Sequence, residues 1–294
     1  MGALEDKLSD IKNIVEKRLS ELLTIKEPKL LWDSMAYSVN AGGKRIRPAL
    51  NIMAAELLSE DTRQNTDLAC AIEMIHTYSL IHDDLPALDN DNLRRGKPTN
   101  HTVFGEAQAI LAGDALLSYA FEVMMENAAK YPENLQNHMQ AIRIMSHAAG
   151  ASGMVAGQVV DVALEGKSLT EEQLKYIDRH KTGDMITGAL MSGLTLYSPN
   201  KEQLFAIEEY GRKIGLVFQI VDDVLDVTAG EELGKSLGKD ARDHKTTYAS
   251  LYGVKSAMEL ARKYNEEAKD ALKPFGDKAE LLAALADKML IRKK

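Results

Sequence analysis

Hydrophobic residues recur along most of the chain at the three- and four-residue spacing of amphipathic helices. Runs of alternating polarity, which are typical of strands, are few, and proline or glycine separates the long amphipathic stretches. The pattern therefore predicts an all-α fold, a helical bundle. The expected helices cover 3–23, 28–40, 47–59, 65–84, 103–130, 134–164, 170–195, 200–228, 245–252, 254–272 and 277–291.

The composition indicates one globular domain. No internal repeat and no Ser/Pro-rich linker divides the 294 residues, so we expect a single domain over 1–294. The hydrophobic fraction of 45% is enough for a sizeable core. The formal net charge of −8 argues against a nucleic-acid partner.

The chain also carries features that indicate its compartment. The single cysteine, Cys70, excludes an internal disulfide and is compatible with a reducing compartment. No apolar run approaches the roughly 18 residues that a membrane span requires, and the first residues lack the regions of a signal peptide. We therefore expect a cytoplasmic protein with no membrane span.

Three aspartates lie close together in the segment DDLPALD, at positions 83, 84 and 89. Asp83 and Asp84 end an apolar helical run. Pro86 disfavours helix at Leu85 and lacks a backbone donor, so Asp89 is expected in the unwound segment that follows. The three acids are therefore predicted to converge at one helix end.

Carboxylates gathered in this way repel one another unless a cation neutralises them, and Mg²⁺ prefers oxygen ligands of this kind. Arg94 and Arg95 follow within a few residues and could hold a phosphate group. The alternative interpretation is a solvated acidic turn followed by a basic one.

A second acidic cluster lies in the segment FQIVDDVLD and consists of Asp222, Asp223 and Asp226, preceded by Gln219. On a helix these four side chains fall within an arc of roughly 100°, while Ile214, Val217, Val221, Val224 and Leu225 face the other way. A solvated helix face normally mixes Lys with Glu, whereas this one carries unmixed aspartates. The pattern favours a second metal-binding face over a solvated one.

Cations are expected to accompany these acids. The segment Gly42–Pro48 contains Lys44, Arg45 and Arg47 at the start of a helix, where orphan N–H groups could hold a diphosphate; a basic cap on a surface loop is the alternative. His76 lies about 10 Å before Asp83 on the same helix face, although a lone histidine is more often structural.

Two further regions could contribute cations. Lys181, Thr182 and Gly183 interrupt a good helical pattern, which predicts a kink that turns a cation inward; a plain surface lysine is the alternative. The polar segment after Asp226 is expected to be a loop that brings Lys235 and Lys245 to the second cluster.

Small residues form a stripe on the helix that carries Gln158 and Asp161. They are Ala149, Gly150, Gly153, Ala156 and Gly157. The stripe favours close packing of a neighbouring helix over room for a ligand.

Together, the two aspartate segments resemble the paired motifs of the trans-isoprenyl diphosphate synthase family. The four residues between Asp84 and Asp89 are similar to the spacing in bacterial farnesyl diphosphate synthases. The resemblance runs from about Trp32 to Tyr248 and includes Gly42–Pro48, His76, Arg94, Arg95, Lys181, Thr182, Lys235 and Lys245.

The resemblance implies an isoprenoid-synthase-type fold, a helical bundle around a central cavity, in a protein that forms a homodimer. It also implies that an allylic diphosphate, dimethylallyl or geranyl, ionises between the two aspartate motifs. The double bond of isopentenyl diphosphate then attacks the allylic cation, and loss of a proton completes a head-to-tail condensation.

The resemblance also implies roles for individual residues. The metal ligands, which hold three Mg²⁺, are Asp83, Asp84, Asp89, Asp222, Asp223 and Asp226. The catalytic residues are Asp83, Asp84, Lys181, Asp222 and Lys235. The residues that bind isopentenyl diphosphate are Lys44, Arg47, His76 and Arg95, and Gly43 belongs to the substrate-binding set. The residues that bind the allylic substrate are Arg94, Lys181, Thr182, Gln219, Lys235 and Lys245.

Tyr78 and Ser79 lie at the two positions before Asp83 where this family places the floor that limits product length. An aromatic residue at the first position, with the long DDLPALD spacing, resembles enzymes that stop at farnesyl diphosphate. The helical wheel places Ser79 nearer the Asp83 stripe and Tyr78 nearly opposite it, so the role of Tyr78 rests on the resemblance. An ordinary core tyrosine is the alternative.

Three alternatives to a farnesyl diphosphate synthase remain open. A geranylgeranyl diphosphate synthase uses the same chemistry. A terpene cyclase ionises one substrate and would not need the Gly42–Pro48 segment for a second diphosphate. A non-catalytic subunit is expected to lose acids from one motif, and both motifs are intact here.

Overall fold

The computed structural model describes residues 2–24, 26–232 and 246–292, and these residues are almost entirely helical. The α-helices are α1 (Gly2–Leu22), α2 (Lys29–Val39), α3 (Ile46–Glu56), α4 (Asn65–Asp83), α5 (Asn100–Phe104), α6 (Glu106–Ala129), α7 (Leu135–Ala149), α8 (Met154–Ala163), α9 (Glu171–Ile177), α10 (Asp184–Thr195), α11 (Lys201–Glu232), α12 (Tyr248–Tyr252), α13 (Val254–Ala271) and α14 (Glu280–Leu290). The predicted all-α fold is confirmed.

Short irregular elements connect these helices. Pro132–Asn134 and Lys273–Ala279 are 3₁₀ turns, and Asp178–Gly183 is a π-helical turn between α9 and α10. Strand β1 (Leu93–Arg94) pairs antiparallel with β2 (Lys97–Pro98). No helix within the described ranges combines the length and apolar character needed to cross a membrane.

Two of the expected helices are interrupted at glycines. The helix expected over 103–130 is interrupted at Gly105, whose φ of 85° is a left-handed conformation that glycine adopts readily. The helix expected over 134–164 is broken between α7 and α8, at Gly150–Gly153. The expectation that the small residues form one stripe on one helix was therefore wrong, because the glycines at its centre end α7.

Contacts group the chain into two compact units. The first unit consists of Gly2–Arg143 and Ser192–Ser198, and its centre is α4, which packs against α1, α2, α3 and α6. Ile72, Met74 and Ile75 on α4 are completely buried. The sequence of α4 is apolar on nearly every side rather than along one stripe, which suits a helix that packs against four others.

The second unit consists of the described parts of Ile144–Met191 and Pro199–Lys294, and α11 is its longest helix. Helix α11 packs against α13, α14 and the π-helical turn. Ile214, Val217 and Val221 are buried, as the helical wheel predicted. The Tyr210 hydroxyl donates to the carbonyl oxygen of Leu282 at 2.7 Å, and burial raises the pKa of this tyrosine.

A close contact in the first unit gives a test of this packing. We expect Gly193→Ala to lower the free energy of unfolding by about 1–3 kcal/mol, because the added methyl group would crowd backbone atoms that cannot easily move away. A Cβ atom at Gly193 would lie 2.1 Å from the carbonyl oxygen of Asn51, which is backbone on α3. Urea unfolding followed by circular dichroism measures the change.

Gly2→Ala is the matched control, because no atom lies within 4 Å of a Cβ built at Gly2. Alanine is the better helix former, so this variant should be as stable as the wild type or slightly more stable. If Gly193→Ala unfolds at the same urea concentration as Gly2→Ala, the close contact between Gly193 and Asn51 is wrong.

Candidate active site

The first acidic cluster lies at the C-terminal end of α4, in the first unit. Helix α4 ends at Asp83, and Asp84 caps it. The chain then turns, so that the backbone N–H of Asp89 donates to the carbonyl oxygen of Asp83 at 2.9 Å. Asp84 is buried, Asp83 is partly buried and Asp89 is exposed. The backbone of Asp89 therefore returns to the end of α4, whereas convergence of the three carboxylates on a metal stays a prediction.

Asp84 is paired with Arg94 in this structure. Arg94 Nε donates to Asp84 Oδ1 at 2.8 Å and to Oδ2 at 2.9 Å, and Nη2 donates to Oδ1 at 2.6 Å. Burial raises the pKa of Asp84 although Arg94 opposes the shift. The arrangement joins a residue predicted to bind metal to one predicted to bind phosphate.

A cationic patch in the first unit contains Arg47, His76 and Arg95, and Lys44 lies in the loop just before α3. Arg47 Nη1 lies 3.5 Å from His76 Nε2. Burial lowers the pKa of His76 well below its ordinary value, and the charge on Arg47 lowers it further. The imidazole is therefore neutral at pH 7, and an arriving diphosphate would favour its protonation.

Gly43 allows Arg95 to approach the backbone. Arg95 Nη1 donates to the carbonyl oxygen of Gly42. A Cβ atom at Gly43 would lie 2.8 Å from that same nitrogen, and the φ of 141° also disfavours any other residue there. The predicted substrate-binding role of Gly43 thus has a structural counterpart in the position of the Arg95 guanidinium.

Arg45 differs from its neighbours, because it faces the protein interior. Its Nη1 donates to Glu73 Oε1 at 2.7 Å, and its Nη2 donates to the carbonyl oxygen of Val39 at 2.7 Å. Only 3% of Arg45 is exposed. The expectation that Arg45 would join the phosphate-binding cations was wrong, since its left-handed backbone, with a φ of 50°, turns the side chain toward Glu73.

Tyr78 and Ser79 lie on α4 before the acidic cluster. Tyr78 is only 6% exposed, and burial together with the nearby Asp83 raises its pKa to about 12. The Ser79 hydroxyl donates to the carbonyl oxygen of His76 at 2.9 Å. Whether either residue limits product length stays a prediction.

The second acidic cluster lies on α11, in the second unit. Asp222 Oδ1 accepts a hydrogen bond from Arg292 Nη2 at 2.6 Å. Asp223 Oδ2 accepts the backbone N–H of Tyr248 at 2.8 Å. Asp226 is exposed. Asp222 and Asp223, both predicted metal ligands, therefore already accept hydrogen bonds from other groups.

Arg292 was missed by sequence reasoning. Besides Asp222, it donates to the carbonyl oxygen of Phe218 at 2.8 Å, and its guanidinium lies 4.0 Å from the centre of the Phe218 ring. Asp222 and Arg292 are 70 residues apart in the chain, so nothing in the local sequence indicates the pair.

Lys181 and Thr182 lie on the π-helical turn Asp178–Gly183, where the predicted kink is observed. Lys181 Nζ donates to Asp161 Oδ2 on α8 at 2.6 Å. A Cβ atom at Gly157 would lie 2.2 Å from the backbone nitrogen of Lys181, so close helix packing, the favoured interpretation of Gly157, is confirmed.

Gln219 Nε2 donates to Asp178 Oδ1 on the same turn at 3.3 Å. Asp178 is only 5% exposed and was not among the predicted site residues. Lys235 and Lys245 lie outside the described residues.

The acidic clusters fit Mg²⁺ by chemistry but are not arranged around a metal in this conformation. Their donors are carboxylate oxygens, which Mg²⁺ prefers. No three Asp, Glu, His or Cys side chains come together as a metal site among residues 2–24, 26–232 and 246–292. Metal binding would therefore require Asp84, Asp222 and Asp223 to share or exchange their present partners.

Comparison with known proteins identifies the family. A family profile described as Polyprenyl synthetase matches residues 28–285. The chain is 46% identical to a geranylgeranyl diphosphate synthase of Cyanophora paradoxa, covering 95% of this chain and 93% of that one. It is 45% identical to a farnesyl diphosphate synthase of Geobacillus stearothermophilus, covering 92% of each.

A solved structure is also similar to this chain over nearly its whole length. The crystal structure of an FPP/GFPP synthase from Zymomonas mobilis superposes with a TM-score of 0.88 at 33% identity, covering 98% of this chain and 99% of that one. The resemblance seen in the aspartate motifs is thereby confirmed. The chain belongs to the polyprenyl synthetase family of prenyltransferases.

Proposed function

We propose that the protein condenses isopentenyl diphosphate with dimethylallyl and then geranyl diphosphate, head to tail, and releases mainly (2E,6E)-farnesyl diphosphate. The observation that carries the proposal is the pair of aspartate clusters, at the end of α4 and on α11, in a chain that also has a separate cationic patch. Both clusters serve the same reaction, in one catalytic domain.

The aspartates of both clusters would hold Mg²⁺, three ions in all. When bound, the metal neutralises charge that develops on the departing diphosphate as the allylic carbon–oxygen bond breaks. Asp84 must then share its carboxylate, which releases Arg94 from its bonds to both oxygens and makes its N–H groups available to the diphosphate. Arg94 is thus held ready beside the cluster until substrate arrives.

The cationic patch of Arg47, His76 and Arg95, together with Lys44, would hold isopentenyl diphosphate. Lys181, Thr182 and Gln219, with Arg94, Lys235 and Lys245, would hold the allylic diphosphate. The allylic cation forms a new carbon–carbon bond with the double bond of isopentenyl diphosphate, and the resulting cation loses a proton. Because the diphosphate leaves as the substrate ionises, no side chain has to act as nucleophile.

A geranylgeranyl diphosphate synthase is the second candidate, because relatives named for either product are similar to the chain. The buried Tyr78 supports farnesyl as the product, since a growing chain cannot pass a packed aromatic ring without overpacking its surroundings. A non-catalytic subunit is disfavoured because both aspartate motifs are complete. We propose further that the enzyme works as a cytoplasmic homodimer.

Loss of one aspartate from either cluster tests the metal mechanism. We expect Asp83→Asn and Asp222→Asn each to lower kcat by at least about a hundredfold in Mg²⁺, because each removes a carboxylate that would hold the metal against the leaving diphosphate. Asp10→Asn, which changes an exposed aspartate on α1, is the control. Near-normal turnover in either cluster variant would contradict the two-cluster mechanism.

The division of the cations between two diphosphates can be tested by steady-state kinetics. Arg47→Ala should raise the KM for isopentenyl diphosphate at least about tenfold and leave that for geranyl diphosphate little changed, since charge-assisted contacts are local. Lys181→Ala should do the reverse. Arg143→Ala removes an exposed arginine and should change neither constant. Equal effects of both variants on both substrates would contradict the assignment.

Product length tests the roles of Tyr78 and Ser79. Tyr78→Ala and Tyr78→Met should extend the product toward geranylgeranyl diphosphate, because a smaller side chain would lower the floor of the apolar pocket proposed to hold the growing prenyl chain. Ser79→Phe should shorten it toward geranyl diphosphate. Chromatography of the dephosphorylated products measures the distribution, and an unchanged distribution in all three variants would place the floor elsewhere.

A further inference from the structure

His82 occupies a notch on α6 that exists only because residue 113 is glycine. A Cβ atom built at Gly113 would lie 2.1 Å from His82 Nε2 and 2.5 Å from Cδ2. The imidazole therefore lies directly against the backbone of α6. No side chain separates the two helices at this point, so the ring can move away from α6 but not toward it.

A hydrogen bond fixes the ring in this notch. His82 Nε2 lies 3.1 Å from the carbonyl oxygen of Ile110, one turn earlier on α6. Because a carbonyl oxygen can only accept, Nε2 carries the hydrogen and donates it. The carboxylate of Asp114 is farther away, at 3.9 Å from Nε2. The ring is thus fixed by backbone on one side and by a directional bond at its edge.

The fixed imidazole contacts Tyr78, one turn earlier on α4. The two rings meet edge to face, with centroids 5.8 Å apart and an interplanar angle of 82°. Aromatic pairs prefer this geometry, which holds each ring in one orientation. Tyr78 is 6% exposed, so its ring is surrounded by protein rather than by solvent. Loss of the neighbouring ring therefore changes the packing around it.

From these contacts we infer that His82, held by Gly113 and the Ile110 carbonyl group, is a positioning residue that fixes the Tyr78 ring and thereby sets product length. The inference rests on the proposed function and on Tyr78 forming the floor of the apolar pocket. Loss of the imidazole leaves a space beside Tyr78. The phenol ring turns into that space, and the floor recedes.

Replacement of His82 separates the ring contact from the hydrogen bond. His82→Gln keeps an N–H donor for the Ile110 carbonyl group but lacks a ring, whereas His82→Phe keeps a ring and lacks the donor. If the ring contact positions Tyr78, His82→Ala and His82→Gln should raise the ratio of geranylgeranyl to farnesyl product at least about threefold. His82→Phe should stay nearest the wild type.

A double variant tests whether His82 acts through Tyr78. Product ratios are measured for the wild type, Tyr78→Ala, His82→Ala and the double variant, with His147→Ala as the control because His147 is exposed. The double variant should give the same ratio as Tyr78→Ala alone, because the positioned ring is already absent. The ratio is independent of total turnover, so a general loss of stability or activity does not move it.

Two results would overturn the inference and leave the floor at Tyr78: an unchanged ratio in His82→Ala while Tyr78→Ala shifts it, or independent, multiplying effects in the double variant. A Tyr78→Ala variant with the wild-type ratio would overturn the inference together with the assigned floor, while condensation itself would stand. If the His82 variants do not turn over, Gly113→Ala displaces the ring from α6, and its ratio must change in a Tyr78-dependent way.

Discussion

Carboxylates that lie close together repel one another, and each of the acidic clusters has partners that reduce this repulsion. Arg94 holds both oxygens of Asp84, Arg292 holds Asp222, and the backbone N–H of Tyr248 holds Asp223. Without such donors, the repulsion would push the carboxylates apart or favour their protonation. Metal binding at these aspartates would therefore be an exchange of partners rather than the filling of a ready-made site.

Two of the cations predicted to bind diphosphate are paired in the same way. Arg94 is restrained by Asp84 and Lys181 by Asp161, so both cations already have a carboxylate partner. A bound diphosphate would offer oxygens to both cations, and Asp84 would then be available to hold Mg²⁺. In such an exchange Arg94 and Asp84 would each keep an oppositely charged neighbour, which avoids leaving the buried carboxylate unpaired.

Glycine governs where several of these groups lie. Gly43 leaves room for the Arg95 guanidinium, Gly157 lets the π-helical turn at Lys181 contact α8, and Gly113 receives the His82 ring. At each position a Cβ atom would meet its neighbour at less than 3.0 Å. At these glycines a neighbouring group lies directly against the helix or loop backbone. Backbone atoms move less than side chains do, so the contact restricts the position of that group.

The sequence predicted those features that depend on local pattern. The helical periodicity, the unwinding at Pro86 and the stripe Gln219–Asp226 each follow from residues a few positions apart. The inward turn of Arg45 and the Asp222–Arg292 pair depend on partners distant in the chain, which no local pattern indicates. The break at Gly150–Gly153 was missed because glycine at helical spacing also occurs in close helix packing.

The role proposed for the two acidic clusters is to use Mg²⁺ in the condensation of isopentenyl diphosphate with an allylic diphosphate. Its most direct test is incubation of the purified protein with labelled isopentenyl diphosphate, dimethylallyl diphosphate and Mg²⁺, followed by chromatography of the dephosphorylated products. We expect labelled farnesol as the main product and no labelled prenyl alcohol when a chelator removes the metal. Absence of any labelled prenyl alcohol with Mg²⁺ present, or an equal yield with the chelator, would contradict the proposed role.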